Sequence, residues 1–142
     1  MNIVCAQCST TNRVPAERLG EDPKCGKCHA ALLDGRPAAL DESKFDAFIS
    51  NSELPVVVDF WADWCQPCHA MAPQFARAAA ELKARARFAK VNTEEAQPIA
   101  ARFGICSIPT LILFRGGREV SRLSGARDAP SIIAWVISGV PV

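Results

Sequence analysis

From residue 36 onward, apolar residues occur alternately as unbroken runs and at intervals of three and four. The runs "PVVVDFWA" (55–62), "RFAKVN" (87–92) and "TLILF" (110–114) are rich in β-branched and aromatic residues, which predicts strands; the first reads as a central one covered on both faces. The spaced positions predict helices. Phe45, Phe48 and Ile49 share one face of a helix that Asp41 can cap and that ends before Pro55. Met71, Phe75, Ala79 and Leu82 mark a longer helix, expected to bend at Pro73 where a backbone donor is lost. Pro98 suits the first turn of a short helix carrying Ile99, Ala100 and Phe103 and stopped by Gly104. After Asp128, Ile132 aligns with Val136 and Ile133 with Ile137 in a last helix. "RPAAL" (36–40) adds a short first strand. "REVSRL" (118–123) follows "TLILF" across Gly116-Gly117 as the second arm of a hairpin. This order implies an α/β fold, a mixed central sheet with helices on both faces.

Residues 1–35 break the pattern. They hold four of the seven cysteines, several turn formers and few large apolar side chains. A segment this short, with no core of its own, falls below the roughly 40 residues under which a metal or disulfides are usually needed for folding. The chain therefore divides into a small module (1–35) and one domain (36–142). Half of all residues are apolar and the net charge is +1, as in a soluble globular protein. No apolar stretch approaches the roughly 18 residues of a membrane span, and "MNIVCAQCSTTNRVP" lacks the basic and apolar regions of a secretory signal. A cytoplasmic, monomeric protein is expected, with thiols used for metal or redox chemistry rather than structural disulfides.

Six cysteines form three C-x-x-C pairs, and Cys106 is left over. Cys5, Cys8, Cys25 and Cys28 give C-x2-C-x16-C-x2-C, a zinc-site spacing that predicts one closed, structural ion. His29 is a weaker candidate ligand. The side chains of residues 1–36 sum to +1, so a divalent ion with four thiolates would leave this module acidic. That argues against nucleic acid as a partner. The third pair, Cys65 and Cys68, stands instead where a strand ends and a helix begins. Residues three apart in a first turn are neighbours within disulfide reach, and the positive helix terminus favours a thiolate. Cys65 is expected to be the exposed attacker and Cys68 the buried reserve, with Pro67 at the first helical position.

"VVVDFWADWCQPCHAMAP" resembles the active-site segment of thioredoxins, and "FGICSIPTLILFRGG" resembles that family's cis-proline segment. The likeness spans residues 36–142, and the four N-terminal cysteines extend it to the zinc-bearing, thioredoxin 2-like subgroup. It implies a thioredoxin fold and protein disulfide reduction without a permanently bound organic cofactor. Disulfide-containing proteins would be the substrates and an NADPH-dependent thioredoxin reductase the electron donor. It further implies Cys65 as nucleophile, Cys68 as resolving thiol, Asp59 as the buried acid and Lys90 as its partner. Pro109 would be the cis-proline, with the backbone at Ile108 pairing with substrate. Trp61, Trp64, Gly125 and Ala126 would form the docking rim, beside Gln66 and Pro67. Two positions depart from the family pattern: Gln66, where glycine is usual, and His69, where lysine or arginine is usual. Because the intervening dipeptide influences redox poise, a disulfide oxidant or isomerase stays open beside the reductase, as does a partner-docking module. So does an oxidation-sensing role for the zinc. For Cys106, near the active-site surface, a spare exposed thiol is the simpler reading.

Overall fold

A computed structural model of the chain describes residues 1–139. Two sheets organise it. The small one is a hairpin of β1 (Asn2–Val4) and β2 (Thr11–Arg13). The large one is built from β3 (Ala38–Ala39), β4 (Val56–Trp61), β5 (Arg87–Asn92), β6 (Thr110–Arg115) and β7 (Arg118–Ser124), in the order β3-β5-β4-β6-β7. β3, β5 and β4 run parallel, while β6 is antiparallel to β4 and β7 to β6. The first strand is shorter than "RPAAL" suggests: only Ala38 and Ala39 pair with Ala89 and Lys90.

Among the described residues four α-helices cover the sheet: α1 (Glu42–Asn51), α2 (Gln66–Glu81), α3 (Gln97–Arg102) and α4 (Ala129–Gly139). Asp41 caps α1 by accepting from the Lys44 N–H at 3.0 Å. Pro73 lies inside α2, which continues through it for about two further turns. Gly116 and Gly117, at φ 58° and 81°, form the two-residue turn of the β6–β7 hairpin, a backbone that glycine adopts at least cost.

The alternation along β4 decides what each face receives. Val56, Val58 and Phe60 join Phe45, Phe48, Ile99 and Phe114 in a core under α1 and α3. Val57 points the other way, into a core of Met71, Phe75, Leu111, Ile132 and Val136 under α2 and α4. Asp59, two residues on, shares the α2 face with Val57. A carboxyl is thus placed beneath the helix whose N-terminus carries Cys65 and Cys68.

The N-terminal segment is not coreless. Ile3, Val14, Leu32 and Leu33 pack with Leu54, which the body supplies, and Val4 in turn enters the core under α1. Sequence composition undercounts this core because part of it is borrowed across the junction. Asn2 and Glu53 exchange two hydrogen bonds, the Asn2 N–H to Oε1 at 2.9 Å and the Glu53 N–H to the Asn2 carbonyl at 3.0 Å. From β5, Arg87 Nη1 donates to the Val4 carbonyl at 2.8 Å.

Candidate functional site

Cys65 and Cys68 are joined as a disulfide across a Cα separation of 5.3 Å. Helix α2 starts at Gln66, one residue before the proline expected to open it. Cys65 is its N-cap, with extended backbone, and its sulfur accepts from the Cys68 N–H at 3.2 Å. Pro67 is therefore the second helical residue rather than the first, which still wastes no donor. A sulfur acceptor at the helix N-terminus is the arrangement that stabilises a thiolate once the disulfide opens. Cys65 is not exposed in this oxidised form: it is 3 % accessible, its sulfur turned onto Cys68 and lying 3.7 Å from the Ile108 carbonyl. It nonetheless reaches a cavity of about 550 Å³ lined by Trp64, Gln66, Pro67, Ile105, Cys106 and Ile108.

That groove is bounded on one side by the Ile108–Pro109 cis peptide. Gly125, at φ 91°, donates its N–H to the Pro109 carbonyl at 2.9 Å, so the end of β7 sits against the same loop, with Ala126 exposed beyond it. Trp64 is 68 % exposed, and its indole N–H donates to Glu94 Oε1 at 2.9 Å. Glu94 was not legible in the sequence, because a surface acid 30 residues from its partner carries no local signal. Trp61 lies apart from this groove. It lines a second hollow with Lys90 and Asp63, and the Lys90 ammonium stands 4.7 Å from its ring centroid. His69 packs edge-on to the same indole and bonds through Nε2 to the Asp63 carbonyl at 2.6 Å.

Asp59 is fully buried, and neither carboxylate oxygen has a hydrogen-bond partner among the described residues. Burial pushes its pKa up to about 7, with the charge of Lys90, its cross-strand neighbour on β5, pulling the other way. A buried acid that lacks hydrogen bonds is costly to keep, and groups tuned toward neutrality suit proton transfer.

The four N-terminal sulfurs lie within 4.8 Å of one another, with Cys5–Cys28 at 3.5 Å and Cys8–Cys25 at 3.6 Å. Two knuckles of the same build supply them. Cys5 donates its N–H to the Thr10 carbonyl and accepts from Ser9, while Cys25 donates to the Ala30 carbonyl and accepts from His29. Ser9 and His29 both take φ 64°, the left-handed turn that swings each pair inward. His29 thus serves the turn and is outside the sulfur cluster. The Cys28 N–H, the Asn12 amide and the Lys27 N–H favour the Cys25 thiolate and hold its pKa down to about 6. Four converging sulfurs fit a tetrahedral metal ion with no position left open.

The thioredoxin family profile matches residues 36–138. The chain belongs to the thioredoxin family. A zinc-ribbon profile described as "Thioredoxin 2, N-terminal" matches residues 4–30, over the sulfur cluster. Thioredoxin C-3 of Corynebacterium nephridii is 48 % identical over 136 residues, covering 96 % of this chain and 93 % of that protein. The chloroplastic M-type thioredoxin of Chlamydomonas reinhardtii is 32 % identical over 126 residues, covering 87 % of this chain and 90 % of that one. Among solved structures, a point-mutant thioredoxin from Halobacterium salinarum NRC-1 superposes with a TM-score of 0.69 at 28 % identity. The match covers 76 % of this chain and 94 % of that one. Like other thioredoxins, this protein is a thiol–disulfide reductase acting on protein disulfides through the Cys65–Cys68 pair, and it carries the zinc-ribbon module at its N-terminus. No helix among the described residues is long and apolar enough to cross a membrane.

Proposed function

We propose a two-step exchange with the following division of labour. The Cys65 thiolate attacks one sulfur of a substrate disulfide, forming a mixed disulfide and releasing the other substrate sulfur as a thiolate. Asp59 takes the proton from Cys68, whose thiolate then attacks Cys65; the second substrate sulfur leaves and the Cys65–Cys68 disulfide forms. Two electrons pass to the substrate. The extended substrate lies along the backbone at Ile108 beside Pro109, against Trp64, Gln66, Pro67, Gly125 and Ala126. Trp61 and Lys90 act from behind, by packing and by the field on Asp59. The observation carrying this reading is the coincidence of the α2 N-cap sulfur, the unpartnered buried carboxyl on the same sheet face and the groove at Ile108.

In this reading residues 1–35 form a zinc module and residues 36–142 the thioredoxin domain. The single ion held by Cys5, Cys8, Cys25 and Cys28 is structural. The protein works in the cytoplasm as a monomer, recharged by a thioredoxin reductase drawing on NADPH. Insulin turbidity with dithiothreitol tests the chemistry. Cys65→Ser should abolish the acceleration, whereas Cys68→Ser should trap a mixed disulfide resolved on non-reducing gels. A fully active Cys65→Ser protein contradicts the assignment.

A further inference from the structure

Arg87 opens β5 and is 6 % exposed, yet among the described residues no carboxylate lies within ion-pairing distance of it. Its guanidinium sits 4.6 Å from the Phe48 ring centroid, and its side chain makes one hydrogen bond, from Nη1 to the Val4 carbonyl. A buried cation without a close ion-pair partner is costly, and Asp34 of the module supplies the larger of the charges that favour it. The residue after Val4 is Cys5, itself buried, and the peptide unit joining them is used at both ends. Its carbonyl accepts from Arg87, and its N–H donates to the Thr10 carbonyl at 2.9 Å, the bond that closes the first knuckle. A cation on the carbonyl polarises that peptide and strengthens the donor on the other side. The second knuckle has no such tie: its supports, Asn12 and Lys27, belong to the module itself.

We infer that Arg87, a residue of the thioredoxin domain, is a positioning residue for the N-terminal metal site. It fixes the Val4–Cys5 peptide and supplies the positive charge that a divalent ion with four thiolates, at about −2, calls for. The inference rests on reading Cys5, Cys8, Cys25 and Cys28 as metal ligands. Burial works against the charged form of Arg87, and the negative charge of Asp34 opposes that effect. The metal site is then completed only when the module docks on the body, and losing the ion loosens β1.

The test is zinc affinity of the full-length chain by competition with a chromophoric chelator, with circular dichroism checking that each variant is folded. Arg87→Met keeps the stem but removes charge and donors. Its zinc affinity should fall about 10- to 100-fold, the usual cost of losing a partner that orients a ligand. Arg87→Lys, which keeps the charge but loses the fork, should fall less. Folded Arg87→Met that holds zinc as tightly as the parent overturns the inference. A second measurement needs no substitution. The Arg87 Nε–H resonance of the unmodified protein should move, and exchange faster with water, when zinc is removed. An unchanged resonance overturns the inference equally. Unmodified protein that binds no zinc overturns the metal reading on which it stands.

Discussion

Replacing Asp59 by asparagine should make stability respond differently to pH, by an amount the structure fixes. The folded carboxyl titrates near 7 rather than at the ordinary 3.8 because burial removes water and no donor replaces it. Below pH 3.8 the group is neutral in folded and unfolded chains and burdens neither. As pH rises from there to 7, the unfolded chain ionises while the folded one stays protonated, so stability is progressively lost; above 7 the loss levels off. At about 1.4 kcal/mol per tenfold, the full penalty is about 4 kcal/mol, and about 3 kcal/mol of it develops between pH 5 and pH 9. Asparagine carries no charge at any pH, though its buried amide costs a pH-independent 1–3 kcal/mol or so if unpaired. The assay is urea unfolding of the oxidised parent and the oxidised Asp59→Asn variant in matched buffers from about pH 5 to 9. Taking the difference between the two cancels the other titrating groups, the metal thiolates included. That difference should move in the variant's favour by about 3 kcal/mol across the range. A difference constant to within about 0.5 kcal/mol would refute the claim that burial of Asp59 outweighs the charge of Lys90.

Two further outcomes test the surroundings. Trp64→Ala removes a side chain 68 % exposed and bonded to the surface acid Glu94, so stability should stay within about 0.5 kcal/mol while KM for insulin rises severalfold and kcat changes less; an unchanged KM removes Trp64 from the docking surface. Gly117→Ala should cost more than Gly116→Ala. Both sit at positive φ, which costs about 1–2 kcal/mol with a Cβ, but only at Gly117 would the new carbon come within 2.8 Å of Ser50 Oγ. Equal losses in thermal melts would show that the approach of Ser50 carries no weight.

The period of the apolar residues and the C-x-x-C spacings by themselves determined most of this protein. Phe45, Phe48 and Ile49 are buried on one helix, the runs at 56–61, 87–92 and 110–115 are the inner strands, and the four terminal cysteines converge. These signals are local, since a helix or strand shows its buried face within a few residues and a C-x-x-C knuckle closes over a single short turn. Tertiary structure decided what depends on residues far apart. The Cys65 sulfur meets the Ile108 carbonyl 43 positions away, and Trp61 keeps company with Lys90 rather than with the groove. The small module completes its core with Leu54 and finds its buried cation in Arg87. No local pattern encodes such meetings, because they arise only when separately folded elements close on one another and buried groups must find whatever partner the packing brings.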